Sequence, residues 1–295
     1  MKKSLDFILI GGDTRQIFLA RQLIMDGHTV LLHAIDPSLC PEIPSSEDFP
    51  SLKEADCIVL PLPAFCDDTS INAPLCKSSV PISLLTEKLG AGMTVVGGIL
   101  PTSFMDLSRQ LGVHAIDYFI REEMAVLNAI PTVEGAISLA MEELPITIHG
   151  SKALVIGYGR TGKILAHRLA SLGCDVTVSA RKYADFAWIE AYGYKHTDTN
   201  TLGKNLSQFD IIFNTVPALV LGRERLAELK SDSLVIDLAS KPGGVDFQAA
   251  KELGANVIWA LSLPGKCSPQ TAGRIIRDTI YHILEERGIL NCQLR

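Results

Sequence analysis

Gly157-Tyr158-Gly159-Arg160-Thr161-Gly162 is the part of the sequence with the clearest chemical meaning, because its glycines have the spacing G-x-G-x-x-G. The first glycine of such a turn permits a tight bend, the second lets the backbone approach a pyrophosphate, and the third allows close packing of helix on strand. The turn lies between an apolar strand pattern at 153–156 and a helical pattern at 161–172. Glycine turns also occur in α/β proteins without a ligand, but this context favours a dinucleotide site that includes Arg160 and Thr161.

The strand that follows this turn ends in Ser179-Ala180-Arg181-Lys182, without a carboxylate. Proteins that bind the free ribose 2′-hydroxyl of NAD usually place an Asp or Glu about 20 residues beyond the first glycine. A carboxylate would repel a 2′-phosphate, whereas Ser179 can donate a hydrogen bond and Arg181 or Lys182 can neutralise the charge. We therefore predict NADP as the cofactor. The alternative is that Arg181 and Lys182 are ordinary solvated charges.

Two further loops follow strand patterns and carry candidate cofactor contacts. The first loop is Asn214-Thr215-Val216-Pro217, and the second is Asp237-Leu238-Ala239-Ser240-Lys241-Pro242-Gly243-Gly244. The candidate contacts are Thr215, Val216 and Pro217 in the first loop and Asp237 and Ala239 in the second. Open α/β sheets bind ligands outside the carboxyl ends of their strands, so these residues are placed to line a nicotinamide ribose. Taken alone, each loop could equally be an ordinary turn without a ligand.

Candidate anion-binding residues lie outside the dinucleotide turn. Gly12 and Arg15 belong to a second glycine turn, which lacks the third glycine and either holds a substrate carboxylate or merely connects a strand to a helix. Lys266 precedes Ser268, a candidate N-cap followed by proline at the first helical position. Lys266 and the helix N-terminus together would attract an anion.

These residues must be positioned by alternating strands and helices, and the chain shows that alternation twice. Strand patterns separated by helical patterns require parallel sheets with helices on their faces. We predict an α/β protein with two doubly wound parallel-sheet (Rossmann-like) domains and a cleft between them. Residues 1–128, joined by a C-terminal helix at 268–290, would form the substrate and catalytic domain, and 129–267 the NADP-binding domain. A helical pattern at 121–144, interrupted at Pro131, would bridge the two.

Composition excludes several classes of function. The 295 residues are 47% hydrophobic and 20% charged, with a net charge of −6, which suits a globular protein and not a nucleic-acid binder. No apolar run suggests a membrane span, and the seven cysteines form neither a C-x-x-C pair nor a zinc pattern. We expect no metal, a cytoplasmic location, and small molecules or proteins as partners.

Six segments of the sequence are distinctive in combination: IGGDTRQ, NAIPTVEGAI, VIGYGRTGK, NTVPALVL, IDLASKPGG and LPGKCSPQTAG. Together they resemble the family of dipicolinate synthase A subunits, which make pyridine-2,6-dicarboxylate in endospore-forming bacteria. The resemblance extends over nearly the whole chain. The dinucleotide half also resembles the cofactor domains of D-2-hydroxyacid dehydrogenases and alanine dehydrogenase.

The resemblance implies dehydrogenation of dihydrodipicolinate, or its hydrated tetrahydro precursor, to the aromatic diacid in the mother cell during sporulation. It also implies a partner, the flavoprotein-like B subunit, and we expect a homo-oligomer. The reaction needs a base, for which Glu134 or Glu122 is the candidate, and cations for two carboxylates, for which Arg15, Arg121 and Lys266 are candidates. The alternatives are another NADP-dependent hydroxy or amino acid dehydrogenase, and a non-catalytic NADP-binding subunit.

Overall fold

The protein is described by a computed structural model that covers residues 4–203 and 205–290. It divides into two compact units. The N-terminal unit contains the described residues through Asn128 and those from Ser268 onward, and the central unit is Ala129–Cys267. The central unit is therefore inserted into the sequence of the N-terminal unit.

The N-terminal unit contains a six-stranded parallel sheet of strand order β3-β2-β1-β4-β7-β8. The order reverses between β1 and β4, which is the arrangement of a doubly wound fold. Leu9 of the first strand pairs with Leu32 on one side and with Val59 on the other. Its elements are β1 (Asp6–Ile10), α1 (Thr14–Met25), β2 (Thr29–His33), β3 (Ser45–Ser46), β4 (Cys57–Val59), β5 (Ser70–Ile71), β6 (Val80–Pro81), α2 (Ile82–Thr86), β7 (Thr94–Gly97), α3 (Thr102–Gln110), β8 (His114–Asp117) and the start of α4 (Glu122–Glu143).

The central unit repeats the scheme with a sheet of order β11-β10-β9-β12-β13-β14, all of whose pairings are parallel. Here the order reverses between β9 and β12. Two doubly wound parallel sheets confirm the predicted fold class. The elements are β9 (Lys152–Ile156), α5 (Arg160–Ser171), β10 (Asp175–Ala180), α6 (Tyr183–Ala191), β11 (Lys195–Asp198), β12 (Ile211–Asn214), α7 (Arg223–Leu226), β13 (Leu234–Asp237), α8 (Phe247–Leu253), β14 (Asn256–Trp259) and α9 (Leu263–Cys267), after which α10 (Pro269–Glu286) returns to the N-terminal unit.

Helix α10 completes the core of the N-terminal unit by packing on α1. Ile276 and Ile280 are buried there with Leu19 and Leu23 in one cluster. Gly273 permits the close approach, because a Cβ at this position would lie 2.9 Å from the carbonyl oxygen of Arg15. The helix pair thus buries an apolar face that neither helix could cover alone.

Helix α4 runs without a break through Pro131, which corrects the predicted interruption there. A proline inside a helix removes one backbone hydrogen bond. The burial of Val133, Ala136 and Ala140 in the core of the central unit compensates for that loss. Among the described residues α4 is also the helix that is long and apolar enough to cross a membrane. This is weak support for a span, because core helices pass the same test.

Candidate dinucleotide site and a second glycine turn

The glycine turn of the central unit joins β9 to α5, and packing requires two of its glycines. The Gly157 amide donates to the Ser179 carbonyl at 2.8 Å, which fastens the turn to the end of β10. Gly157 has φ +99°, and a Cβ there would lie 2.4 Å from Thr215 Oγ1. A Cβ at Gly162 would lie 2.1 Å from the Gly157 carbonyl oxygen. No side chain fits at either position, because the turn and the first turn of α5 are in close contact.

Gly159 has a different environment from the other two glycines. Its φ is −79°, which any residue can adopt, and no heavy atom lies within 4 Å of the place where a Cβ would be. The space above Gly159 is therefore open. Unlike the other two glycines, Gly159 is not required by the packing of the fold. It adjoins the N-terminus of α5, where Arg160 is exposed and Thr161 half-buried. An anion would meet backbone amides at this position.

The glycine turn after β1 starts in the same way but is filled by the chain itself. The Gly11 amide donates to the His33 carbonyl at 2.8 Å, as Gly157 does to Ser179. The Gly12 amide, however, donates to the Asn72 carbonyl at 2.7 Å, and a Cβ at Gly11 would lie 2.8 Å from the same oxygen. The segment around Asn72 covers this turn. Because the Gly12 amide already has an acceptor, the geometry weighs against its predicted contact with a substrate carboxylate.

Arg15 is also bound within its own unit. The residue is 7% exposed. Its Nε and Nη2 donate to both oxygens of Asp13, and Nη2 donates to the Leu62 carbonyl at 2.5 Å. A guanidinium that is neutralised by one carboxylate and buried has little capacity for another. These contacts weigh against the predicted role of Arg15 as a carboxylate anchor and give it a structural one, in which Arg15 holds the loop after β4.

Arg121 forms two ion pairs. Its two terminal nitrogens donate to Glu286 of α10 at 2.8 and 2.6 Å in a bidentate geometry, and its Nε donates to Glu123 at 2.5 Å. The hydrogen bond from Arg121 holds the pKa of the Glu286 carboxyl below its ordinary value. These ion pairs also weigh against the prediction that Arg121 anchors a substrate carboxylate, because two acidic side chains compensate its charge.

Ser179 does not face solvent, which weighs against its predicted contact with a 2′-phosphate. Its side chain is fully buried, and its hydroxyl lies 2.5 Å from the hydroxyl of Thr199. Both faces of strand β10 are covered at this end, because Val178, Ser179 and Ala180 are all buried. Arg181 and Lys182, just beyond the strand, are exposed. Both cations therefore face the solvent at the carboxyl end of β10.

Asp237 organises the two loops that were predicted to line the cofactor. Its carboxylate is fully buried and accepts hydrogen bonds from Asn214 Nδ2 at 2.8 Å and from the amides of Ala239 at 3.0 Å and Gly244 at 2.8 Å. Asn214 also donates to the Val216 carbonyl at 3.0 Å. Asp237 is thus enclosed in protein, which weighs against its predicted direct contact with a cofactor and gives it a supporting role in the two loops.

Asn214 begins the first of the two predicted loops, at the last position of β12, and Thr215, Val216 and Pro217 follow it. Thr215 donates to the Ile156 carbonyl at 2.9 Å and lies over Gly157. Val216 is half-buried and Pro217 is exposed. Ala239 is buried, and its carbonyl accepts from Trp259 Nε1 at 3.0 Å. Of the predicted loop residues, Thr215, Val216 and Pro217 are the ones with open surface.

The remaining predicted site residues lie on helices. Lys266 is exposed in α9, a short helix where the sequence suggested a loop. Ser268 has the predicted N-cap position before Pro269, but its side chain makes no capping hydrogen bond. Glu122 and Glu134 are both exposed, at the start and in the middle of α4. Within residues 4–203 and 205–290, no three His, Cys, Asp or Glu side chains are grouped so that they could hold a metal.

Two family models match the two halves of the chain. The N-terminal domain of the dipicolinate synthase A subunit matches residues 6–119, and the NAD binding domain of D-isomer specific 2-hydroxyacid dehydrogenases matches residues 132–249. The second match contains the open turn at Gly159 and both loops that Asp237 organises. The glycine turn filled by Asn72 lies inside the first.

The similarity to individual proteins extends over the whole length. The dipicolinate synthase A subunit of Bacillus subtilis (strain 168) is 32% identical over 290 residues, which cover 97% of this chain and 98% of the relative. The crystal structure of the dipicolinate synthase A subunit from Bacillus halodurans superposes with a TM-score of 0.86 and 31% identity, covering 95% of this chain and 97% of the other. The crystal structure from Bacillus subtilis gives a TM-score of 0.84 and 32% identity, with 97% of each chain covered.

Proposed function

The chain belongs to the family of dipicolinate synthase A subunits, and from this we propose that it oxidises dihydrodipicolinate, or the hydrated tetrahydro precursor, to dipicolinate with NADP⁺. Its matched NAD binding domain makes it an NAD(P)-dependent oxidoreductase. In the proposed step the dihydro substrate loses a hydride to the nicotinamide and a proton to a base, which yields dipicolinate, NADPH and H⁺. The hydrated precursor also loses water. Formation of an aromatic ring supplies driving force.

The observation that carries the proposal is the difference between the two glycine turns. The turn at Gly159 has open space above it, whereas the Gly12 amide of the other turn already donates a hydrogen bond to the Asn72 carbonyl. One unit can therefore admit a pyrophosphate against its backbone, and the other is left for a different ligand. A dehydrogenase needs this division, because hydride transfer requires one cofactor and one substrate held close together.

The preference for NADP depends on Arg181 and Lys182, since Ser179 is buried. Both cations are exposed immediately after β10, where an acidic residue would be expected in an NAD protein. The Arg181 guanidinium can bind a phosphate in a bidentate geometry, and Lys182 adds a second positive charge. We assign the 2′-phosphate of NADP to these two side chains.

Substitution of Arg181 with alanine is expected to weaken NADP binding about 10- to 100-fold and to leave NAD affinity nearly unchanged. A hydrogen bond to a charged group contributes about 1.5–3 kcal/mol, and NAD has no phosphate to lose. Calorimetric titration of both cofactors measures the effect. Arg109→Ala, which removes an exposed arginine from the other unit, is the matched control. Equal losses for NADP and NAD in Arg181→Ala would refute the phosphate assignment.

Lys266 is the remaining candidate for a substrate carboxylate among the predicted cations, because Arg15 and Arg121 have acidic partners. We expect Lys266→Ala to lower kcat/KM for the dicarboxylate about fivefold, since an exposed charge pair contributes roughly 1 kcal/mol. NADP affinity should stay unchanged. Lys251→Ala, an exposed lysine on α8 of the same unit, is the control. A loss of NADP affinity in Lys266→Ala would instead assign this lysine to the cofactor.

The base and the partner follow from the same proposal. Glu122 and Glu134 are exposed carboxylates that could accept the proton, and we retain both as candidates.

The name of the family implies a second kind of subunit. We propose that this is the flavoprotein-like B subunit, that the chain forms a homo-oligomer, and that the complex works in the cytoplasm of the mother cell during sporulation.

Turnover by the purified chain tests the proposed function. Dihydrodipicolinate and NADP⁺ are supplied to the chain alone and to the chain with the B subunit, and NADPH and dipicolinate are measured together. We expect equal amounts of the two products, and none from a variant that cannot bind NADP. Product from neither preparation, with NADP still bound, would favour a non-catalytic cofactor-binding role. Turnover of a hydroxy or amino acid instead would identify another dehydrogenase.

A further inference from the structure

Gln16 carries a buried amide without hydrogen-bond partners. The residue is 2% exposed, and neither its Oε1 nor its Nε2 has a partner in the structure. A buried polar group that lacks a partner destabilises the fold, so most buried side-chain amides are paired. The Nε2 donor and the Oε1 acceptor of Gln16 are therefore free to bind a ligand. Leaving them unpaired lowers the stability of the protein, and this loss needs an explanation.

The location of Gln16 is where a ligand of this sheet is expected. Gln16 lies in the first turn of α1, directly after β1. The strand order reverses between β1 and β4, and doubly wound sheets bind ligands at the carboxyl ends of the strands beside such a reversal. A Cβ at Gly12 would lie 2.2 Å from Gln16 Cγ and 3.1 Å from Pro61 Cβ. The absence of a side chain at Gly12 thus makes room for Gln16 next to the loop after β4.

Backbone strain occurs at the same end of the sheet. Ile99, just beyond β7, has φ +57°, a conformation that is unfavourable for a β-branched residue. The Asp117 carboxylate holds it there by accepting from the amides of Ile99 at 3.1 Å and Leu100 at 3.0 Å. The result is an apolar side chain that is 52% exposed. Such strain tends to be found at binding sites.

The Ile99 loop and the loop after β4 are joined directly. The Gly98 amide donates to the Pro61 carbonyl at 3.0 Å, and the Ala64 amide donates to the Gly98 carbonyl at 2.7 Å. Arg15 holds the β4 loop from the other side through the Leu62 carbonyl. The loops after β1, β4 and β7 therefore form one hydrogen-bonded assembly, with Gln16 at the end that contains Gly12 and Pro61.

We infer that the Gln16 amide binds the substrate. Its Nε2 donates to one carboxylate oxygen, and its Oε1 accepts from a donor of the same molecule, such as a protonated ring nitrogen or a ring hydroxyl. A neutral amide can serve both groups, which a lysine or an arginine cannot. Ile99 presents an apolar surface at the same sheet end for the ring. The identity of this substrate rests on the proposed function.

The inference also accounts for the cost in stability. An amide that is unsatisfied without a ligand but paired with one strengthens binding, because the hydrogen bonds form in a place that excludes water. The side chain is covered in this structure, so substrate entry must separate the groups packed on it. Gln16 is then a specificity residue, which discriminates against molecules that lack either the carboxylate or the neighbouring donor.

Gln16→Met tests this inference, because methionine has a similar shape and no amide. We expect its thermal midpoint to equal or exceed that of the wild type, since two unpaired polar atoms are removed. NADP affinity should be unchanged, whereas kcat/KM for the dicarboxylate substrate should fall about 10- to 100-fold. The affinity for dipicolinate should fall about tenfold, because dipicolinate keeps the carboxylate but has no donor for Oε1 at neutral pH. Gln22→Met is the control on the same helix, where the glutamine Nε2 already donates to the Gln270 carbonyl at 3.1 Å.

The outcomes separate this inference from the proposed function. Wild-type turnover together with a Gln16→Met variant within twofold of wild type in kcat/KM and dipicolinate affinity would overturn the inference alone. Loss of NADP affinity in that variant would overturn it as well, by indicating a general disturbance. A wild-type complex that neither turns over dihydrodipicolinate nor binds dipicolinate would overturn the proposed substrate, and the inference with it.

Discussion

Replacement of Gly159 with valine is expected to abolish NADP binding while the fold persists. The position has φ −79° and no heavy atom within 4 Å of a Cβ, so the Cβ of a valine meets no protein atom. It would instead occupy the space through which a pyrophosphate reaches the backbone. Loss of charged hydrogen bonds to amides lowers affinity by a factor of at least about 100. Calorimetric titration with NADP measures this, and the thermal midpoint of the free protein should remain close to that of the wild type.

Substitution of Gly162, a second glycine of the same turn, is expected to affect folding instead of binding directly. Gly162→Ala places a Cβ 2.1 Å from the Gly157 carbonyl oxygen, so the turn must shift and the protein should lose about 1–3 kcal/mol of stability. The two variants therefore separate an effect on binding from an effect on folding. Unchanged NADP affinity in the valine variant would mean that the open space above Gly159 holds no cofactor.

Asp237→Ala is expected to weaken cofactor binding by disturbing the two loops, although the Asp237 side chain does not contact the cofactor itself. The buried carboxylate accepts from Asn214 Nδ2 and from the amides of Ala239 and Gly244. Alanine leaves these three donors unpaired, which should lower the free energy of unfolding by about 3–5 kcal/mol. The loop that carries Thr215 then loses its support, and NADP affinity should fall by a factor of about ten or more. Denaturant unfolding and calorimetric titration test the two effects.

The N-terminal unit offers a matched variant. Asp117 ends β8 as Asp237 ends β13, and it accepts from three backbone amides, those of Ile99, Leu100 and Phe119. Asp117→Ala should therefore cost a similar free energy of unfolding but leave NADP affinity intact at temperatures where the protein is folded. If both variants lost NADP affinity equally, the loss would reflect general destabilisation and not the Asp237 network.

The sequence predicted the dinucleotide turn because all the residues that form it are neighbours in the chain. The three glycines, the apolar strand before them and the helix after them lie within one continuous stretch. The sequence could not show that the turn at Gly12 is covered by another segment. The carbonyl that accepts the Gly12 hydrogen bond belongs to Asn72, which is distant in the sequence. The same limit applies to Arg121, whose bidentate partner Glu286 belongs to the last helix.

Burial was the other property that local patterns did not provide. Ser179 is polar and lies near the end of its strand, yet its hydroxyl is turned inward toward Thr199.

Two elements differ from what local patterns predict. Strand β11 was not predicted because Lys-His-Thr-Asp shows no apolar run, and it forms through its parallel pairing with β10. Pro131 is a helix breaker by local chemistry, but the core of the central unit keeps α4 continuous. In each case tertiary contacts override the local preference.

The insertion of the central unit into the N-terminal unit also fixes an order of events during synthesis. A ribosome delivers Ala129–Cys267 as one continuous stretch, so the dinucleotide half has all its strands before the last segment of the chain emerges. The first half, although made earlier, must wait for α10, and until then the buried side chains Leu19 and Leu23 of α1 lack their cover. The nascent protein therefore exposes an apolar face throughout most of translation, and chaperones recognise such a face. A stop codon before Ser268 would leave the cofactor turn whole and make that exposure permanent.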